Sequence, residues 1–222
     1  KKEAVMIEVE APVSLAMYHR MPIYLKCLKA MQKEGKETVS SVALAEAAYE
    51  NSSVVKKDLS CVIVNEGKPK VGYRVDELVR DIEDFLGYNN SKDAVLIGVG
   101  KLGQALLSYK GFEDQGLNIK AGFDVDYDKI GKVISGKRVL PTGKLESAIA
   151  KLNIKMAILA IPQEHAQEMA DLLVKFGIRA IWNFSSAHIK VPDNIALKTE
   201  NMAVSLAVLS KQLKEILEKE SE

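Results

Sequence analysis

A glycine-spaced turn between an apolar run and a helical pattern constrains this chain more than any other feature. Residues 94–97 are apolar, as expected of a buried strand. The pattern G-x-G-x-x-G follows, with its glycines at Gly98, Gly100 and Gly103, and a helical stretch begins at Gln104. In this setting the first glycine makes a tight turn, the second lets a pyrophosphate approach the backbone, and the third lets the helix pack closely. The turn predicts a dinucleotide-binding Rossmann unit.

A carboxylate at the end of the next strand supports this prediction. Residues 119–123 form a second strand that ends at Asp124. An acidic residue about 20 residues beyond the first strand binds the adenosine ribose in such folds. Asp124 also disfavours NADP, because its charge repels a 2′-phosphate and no arginine follows it closely. The alternative is that the glycines serve only a sharp turn.

Strands and helices alternate through the rest of this region. The pattern predicts further strands over residues 138–140, 156–161, 179–182 and 195–198, and helices over residues 101–109, 144–152 and 163–176. Such alternation predicts an α/β fold with a parallel sheet covered on both faces, whose ligands bind outside the carboxyl ends of the strands. Besides the glycine turn and Asp124, those ends carry Ile161, Pro162, Asn183 and Phe184, which we expect to converge on one crevice.

The region before the glycine turn predicts a winged helix-turn-helix. Helical periods cover residues 18–35, 42–48 and 54–62, with a tight turn between the last two. Residues 62–73 place polar residues between apolar ends, as in a β-hairpin wing, and residues 75–86 form a further helix. In the first helix we expect Pro22 in the first turn and Ile23 on the apolar side.

Positive charge is concentrated in one part of this region. The segment from Ser52 to Arg74 carries a net +3, whereas residues 1–88 as a whole carry −1. The third helix and the wing are where a winged helix meets DNA phosphates, although a solvated lysine face on a protein-docking module has the same composition. Candidates for base edges are Lys56 and Ser60, and candidates for phosphates are Ser52, Ser53, Lys57, Lys68 and Lys70. We expect Asp58 to orient Lys57 or to cap a helix.

Bulk composition excludes several classes of protein. The net charge of +1 indicates neither a nucleic-acid nor a membrane partner beyond a local surface, and no apolar run reaches the length of a membrane span. Cys27 and Cys61 lie in apolar helical patterns, which favours reduced core thiols in a cytoplasmic protein over a disulfide or a metal pair. A thiol redox switch is the alternative.

The chain divides into three segments by pattern. We expect a DNA-binding domain over residues 1–88, a dinucleotide-binding domain over residues 94–199 and a terminal helix within residues 200–222. The terminal helix carries one stripe of leucine and isoleucine. That stripe fits equally well against its own sheet or against a second subunit.

Short motifs spread over nearly the whole chain resemble those of the Rex family of bacterial redox-sensing transcriptional repressors. They lie at residues 20–24, 39–41, 57–60, 71–73, 98–106, 109–112, 123–126, 129–131, 161–162 and 183–184. The resemblance implies a winged-helix domain joined to an NAD(H)-binding domain, in a homodimer that exchanges its terminal helices. It adds Val99, Lys101, Leu102, Tyr109 and Val125 to the cofactor residues, and Tyr73 to the DNA-binding residues.

The chain departs from the family pattern at three places. Lys56 stands where the family has arginine, which engages a guanine edge more rigidly. The wing segment 61–67 lacks the family's aromatic, glycine-rich composition. Lys26 and Asn201 replace an arginine and an aspartate, so these two positions cannot form a charge pair here.

These observations predict a homodimeric repressor that binds palindromic double-stranded operator DNA and responds to the NADH/NAD⁺ ratio. A neutral reduced nicotinamide suits an apolar pocket better than the cationic oxidised ring does, and closure around NADH is expected to change the spacing of the two recognition helices. One alternative is an NAD-dependent dehydrogenase, for which His165 and His188 lie where chemistry could occur. No catalytic residue and no metal ligand is assigned. Another adenine nucleotide, such as coenzyme A, is the third possibility.

Overall fold

The computed structural model describes residues 14–63, 72–88 and 92–220. The chain divides into two compact units, Lys1–Asn90 and Ser91–Glu222. Each unit has its own hydrophobic core.

Short helices with side-chain caps build the N-terminal unit. Its elements are α1 (Leu15–Lys33), β1 (Thr38–Val39), α2 (Ser41–Ala48), α3 (Ser52–Ser60), β2 (Tyr73–Arg74) and α4 (Val75–Phe85). The side chains of Ser14, Ser40 and Asn51 accept hydrogen bonds from backbone N–H groups at the starts of α1, α2 and α3. Each cap satisfies a donor that lacks an intrahelical acceptor.

Helix α1 differs from the expectation at both the proline and the apolar face. The helix begins at Leu15, so Pro22 lies in its interior and not in its first turn. The buried face carries Met21, Tyr24 and Leu28, and Ile23 is 45% exposed. An interior proline costs about 3 kcal/mol, and burial of this long face against the other helices offsets that cost.

A two-residue strand pair joins the start of α2 to the start of α4. Thr38 pairs with Arg74 and Val39 with Tyr73 in antiparallel register. Gly72 has φ +87°, and a Cβ there would overlap the Val39 carbonyl oxygen. The predicted wing falls mostly on residues 64–71, which lie outside the described residues, as do Lys68 and Lys70.

A seven-stranded sheet forms the second unit. Its strands are β3 (Lys92–Ile97), β4 (Leu117–Asp124), β5 (Val133–Ile134), β6 (Lys137–Pro141), β7 (Met156–Leu159), β8 (Ala180–Asn183) and β9 (Ala196–Thr199). Its helices are α5 (Lys101–Ser108), α6 (Leu145–Leu152), α7 (Ala166–Lys175) and α8 (Met202–Glu220). The strand order is β5-β6-β4-β3-β7-β8-β9, and all pairs are parallel except β5 with β6. The chain reverses its direction of winding between β3 and β7, where such sheets bind ligands.

The centre of the sheet is covered on both faces, and its edge strands β5 and β9 are not buried. Val95 and Ile97 of β3 belong to one core cluster, and Ala94 and Leu96 belong to the other. This alternation confirms the doubly covered parallel sheet at its centre. The prediction that the sheet is covered on both faces was wrong for β9, whose four residues are all exposed.

The terminal helix α8 does not fold back onto its own sheet. None of its described residues is buried, and its apolar stripe is open. Leu206, Leu209 and Leu213 are each more than half exposed. No helix among the residues described is long and apolar enough to span a membrane.

Candidate functional site

A cavity of about 600 Å³ lies at the carboxyl ends of β3, β4 and β7. It occupies the switch point of the sheet, as expected for a ligand site. Six of the predicted cofactor residues line it, namely Gly98, Gly100, Asp124, Val125, Ile161 and Pro162.

The three positions of the turn require glycine for different structural reasons. Gly98 has φ +91°, and a Cβ there would overlap the Ala160 carbonyl oxygen; a Cβ at Gly103 would overlap the carbonyl oxygen of Gly98. At Gly100 no atom lies within 4 Å of the Cβ position. Gly98 and Gly103 are therefore required by packing, whereas Gly100 leaves open space at the start of α5, where N–H groups and the helix dipole favour an anion.

Asp124 is a buried carboxylate held by backbone donors. It is 7% exposed. Its Oδ2 accepts from the Val99 N–H at 2.7 Å and its Oδ1 from the Asp126 N–H at 2.9 Å. Burial raises the pKa of Asp124, but these two hydrogen bonds and the Lys129 ammonium outweigh it and hold the pKa below its usual value. Asp124 is therefore ionised at neutral pH.

Lys129 is a residue of this cavity that the sequence reasoning missed. Its Nζ lies 3.3 Å from Asp124 Oδ2 and 3.3 Å from Asp126 Oδ2. Burial lowers the pKa of Lys129, and the two carboxylates raise it above its usual value. No arginine follows Asp124 closely in the sequence, and the basic side chain beside this carboxylate is the lysine five residues on.

Asn183 and Phe184 do not line the cavity. The Asn183 side chain is fully buried; its Nδ2 donates to the Ala187 carbonyl at 3.0 Å, and its Oδ1 accepts from the Ser185 hydroxyl at 2.6 Å. The Phe184 ring packs 4.8 Å from that of Trp182, against the core cluster of the other sheet face. The apolar wall of the cavity comes instead from Ile161, Pro162 and α7.

The remaining predicted cofactor residues lie in the turn and along α5. Val99 has a buried side chain and contributes its N–H to Asp124. Lys101 and Leu102 are exposed at the start of α5. Tyr109 is 57% exposed, with its ring 4.8 Å from that of Phe112.

Of the two histidines considered for chemistry, His165 lines the cavity together with Glu168.

In the N-terminal unit, α3 separates an apolar face from a basic face. Val55 and Leu59 are completely buried, whereas Lys56 and Lys57 are exposed. Ser53 and Ser60 are exposed and Ser52 and Tyr73 are half-buried. The lysines therefore face solvent along the helix that a helix-turn-helix presents to DNA.

Asp58 has a different partner from the one expected. It contacts neither Lys57 nor a cap, because it lies on the buried face of α3 at 5% exposure. Arg20 donates to it twice, at 2.6 and 2.8 Å, and the Tyr24 hydroxyl donates at 3.0 Å. The hydrogen bond to Asp58 raises the pKa of Arg20, and burial together with its own hydrogen bond to Asp58 raises the pKa of Tyr24. This cluster ties α3 to α1.

No group of three or more His, Cys, Asp or Glu side chains that could hold a metal ion occurs within residues 14–63, 72–88 and 92–220. Every buried side-chain nitrogen and oxygen in the same ranges has a hydrogen-bond partner.

Comparisons with known proteins cover both units. Residues 12–60 match a family described as "Putative DNA-binding protein N-terminus", and residues 89–187 match one described as "CoA binding domain". The redox-sensing transcriptional repressor Rex of Treponema denticola is 41% identical over 190 residues, which are 86% of this chain and 90% of that protein.

Two solved structures are similar over nearly their whole length. RSP in complex with β-NAD⁺ and operator DNA is 34% identical, with a TM-score of 0.85, and the match covers 94% of this chain and 97% of RSP. RSP in complex with β-NADH is 35% identical, with a TM-score of 0.79, and the match covers 96% and 100%.

The fold and the two sites define a class of protein in which a DNA-binding unit is joined to a Rossmann unit. The chain belongs to the Rex family of redox-sensing transcriptional repressors, which confirms the resemblance seen in the sequence.

Proposed function

We infer that this protein represses transcription by binding operator DNA through its N-terminal unit, and that it releases the DNA when NADH binds its Rossmann unit. The observation that carries this inference is the cavity at the switch point, with open space at Gly100 and an ionised Asp124. The related structures that hold β-NAD⁺ with operator DNA, or β-NADH, support the same pairing of ligands.

The residues of the cavity fit a dinucleotide. Backbone N–H groups at the start of α5, from Lys101 to Gly103, would donate to the pyrophosphate where Gly100 leaves room. Asp124 would accept from the adenosine ribose, beside Val125. Ile161 and Pro162 would border the nicotinamide and disfavour its cationic form. Asn183 would act on this site only indirectly, by ordering the 183–187 loop, and Tyr109 and Phe184 are proposed as cofactor residues outside the cavity itself.

The exposed face of α3 would read the operator. Lys56 and Ser60 are proposed for base edges in the major groove. The residues proposed for phosphate contacts are Ser52, Ser53, Lys57, Lys68 and Lys70, and Tyr73 is proposed as a further DNA-binding residue. Phosphate contacts position the helix and give a steep dependence on salt.

Two surfaces of the Rossmann unit support a homodimer. The stripe of α8 is exposed, and the outer strands β8 and β9 border a second cavity of about 450 Å³ lined by Met156, Trp182 and Leu197. We propose that α8 of each copy packs on the other copy. Leu206→Glu with Leu213→Glu should then give a monomer in sedimentation, whereas a dimer of unchanged stability would reject this interface.

Operator selection from random DNA tests the repressor function. We expect a palindromic site whose half-sites lie about one or two helical turns apart. In a fluorescence anisotropy titration, NADH should release the protein from this site and NADPH should not. Asp124→Ala should weaken NADH binding and leave operator binding intact. A protein that selects no site, or that NADH leaves on its operator, contradicts the proposal.

An oxidoreductase is the second candidate, because His165 and Glu168 line the cavity. The related proteins are named repressors, and we propose no catalytic residue. Steady NADH oxidation that depends on an added carbonyl substrate and is lost in His165→Ala would favour the enzyme. As a repressor, the protein would act in the bacterial cytoplasm, with no metal and no membrane partner.

A further inference from the structure

The loop that follows β4 brings two carboxylates and one ammonium group together at the wall of the cavity. Asp124, Asp126 and Lys129 all line it. Two further hydrogen bonds fix the loop: the Asp126 N–H donates to Asp124, and the Asp128 N–H donates to Asp126 Oδ1 at 2.9 Å. The loop therefore holds the backbone of Lys129 in a defined position.

Asp124 has little remaining capacity for a ribose. An ionised carboxylate has about four acceptor sites. Oδ2 uses two of them, for the Val99 N–H and for Lys129 Nζ, and Oδ1 uses one for the Asp126 N–H. One site on Oδ1 is left, which serves a single hydroxyl. An adenosine ribose carries two adjacent hydroxyls, so the second needs another partner.

Lys129 can supply the hydrogen-bonding partner that the second ribose hydroxyl needs. Its ammonium group has three N–H donors, and the two carboxylates at 3.3 Å account for two of them. Its side chain is 30% exposed and lines the cavity. One donor is therefore directed at neither carboxylate and is available to an oxygen in the cavity.

We propose that Lys129 is the second ribose-binding group of this site and that, with Asp124, it sets the preference for NADH over NADPH. Asp124 accepts from one ribose hydroxyl, and Lys129 donates to the oxygen of the other. This inference rests on the proposed function, because it assumes that the cavity binds NADH.

The charges explain how the same lysine can serve a cofactor that lacks the 2′-phosphate. Two carboxylates and one ammonium leave the cluster with a net charge of −1. A 2′-phosphate would meet Asp124 directly, and the Lys129 charge is already shared between Asp124 and Asp126. If Asp124 is removed, the remaining pair is neutral and Lys129 becomes a ligand for the phosphate.

Six proteins test the proposal: wild type, Lys129→Met, Asp124→Ser, the double variant of these two, Lys129→Arg and the control Lys132→Met. Binding of NADH and NADPH is measured by calorimetry. We expect Lys129→Met to weaken NADH binding about tenfold, as the loss of one charged hydrogen bond predicts. We expect Asp124→Ser to tighten NADPH binding at least about tenfold, and the double variant to lose that gain. Lys129→Arg should retain NADH, and the exposed Lys132→Met is the matched control that should change neither affinity.

Thermal melts and operator binding without NADH report whether each variant is folded. The proposal is overturned if Lys129→Met binds NADH as tightly as wild type, or if NADPH binding to Asp124→Ser is the same with and without Lys129. If Lys129→Met fails to fold, Lys129→Ala replaces it, and an NADH affinity of Lys129→Ala equal to that of wild type would reject the role. A wild-type protein that binds no NADH rejects the proposed function itself, which separates that failure from this one.

Discussion

Tyr49 ends α2 in a conformation that suits few side chains. Its φ of 55° and ψ of 41° are left-handed, and its side chain is 97% exposed. Such a conformation costs a residue with a Cβ about 1–2 kcal/mol, and glycine is the usual residue at this position after a helix.

Tyr49→Gly should therefore raise the free energy of unfolding of the N-terminal unit by about 1 kcal/mol, because the strain is removed and few contacts are lost. Hydrogen exchange of the α2 and α3 amides measures the change. Tyr49→Ala is the control, since it shortens the side chain and keeps the strain. An alanine variant more stable than the glycine variant would contradict this explanation.

The two cysteines should differ in reactivity. Cys61 is exposed, whereas Cys27 is half-buried and its thiol lies 3.4 Å from the Ala47 carbonyl oxygen. Burial raises the pKa of Cys27, and Lys26 opposes this only in part. The thiolate is the reactive form, so a disulfide reagent at pH 8 should modify Cys61 quickly and Cys27 slowly, with the slow rate rising as the pH increases. Cys61→Ser should retain only the slow phase, and a single fast phase there would refute the assignment.

At the scale of elements, the glycine turn separates packing from binding. Gly103→Ala should lower the melting temperature of the Rossmann unit, because its methyl group meets the Gly98 carbonyl. Gly100→Ala should leave the melting temperature unchanged and abolish NADH binding, because its methyl group enters the open space beside α5. Trp182 is the only tryptophan and lies in β8, so its fluorescence reports the melt. Equal NADH affinity in Gly100→Ala and wild type would argue against a pyrophosphate there.

The contact between α1 and α3 should control how the basic face is presented. Asp58→Asn leaves the Arg20 guanidinium without its ion pair, and we expect a loss of about 3 kcal/mol in the stability of the N-terminal unit. Tyr24→Phe removes one hydrogen bond and should cost about 1 kcal/mol. Denaturant unfolding measures both. Operator affinity should fall in the same order, with NADH binding unchanged, and an Asp58→Asn protein as stable as wild type would show that the pair is dispensable.

The sequence predicted long elements well and short or side-chain-determined features poorly. The parallel strands and α8 followed from hydrophobic patterns over many residues. The strands β1, β2 and β5 have two residues each, too few for any pattern. Pro22 was misplaced because tertiary packing of α1 outweighs a local preference. Strand β9 was found where it was predicted, but its burial was not, because the sequence does not show which strand lies at the edge of the sheet.

The candidate site was predicted at its backbone and less well at its side chains. Gly98, Gly100 and Asp124 were found because a motif has fixed spacing. Lys129 was missed because it reaches Asp124 across a loop. The side chain of Phe184 packs against the core cluster of the other sheet face, which the sequence after Asn183 does not reveal. The partner of Asp58 lies 38 residues away along the chain, so no local pattern could reveal it.

At the scale of the whole molecule, repression requires that two binding events share free energy. The basic face of α3 and the switch-point cavity belong to different units. NADH can release DNA only if it binds the DNA-free arrangement better, by a coupling that is typically about 1–3 kcal/mol, or about 5–150-fold in affinity. Thermodynamic linkage makes this coupling reciprocal, so the operator must weaken NADH binding by the same factor.

The most direct test is the dissociation constant of NADH measured with and without saturating operator DNA. We predict that the operator raises this constant, by the same factor by which saturating NADH raises the dissociation constant of the operator. An NADH affinity that is identical with and without bound operator would contradict the claim that one site controls the other.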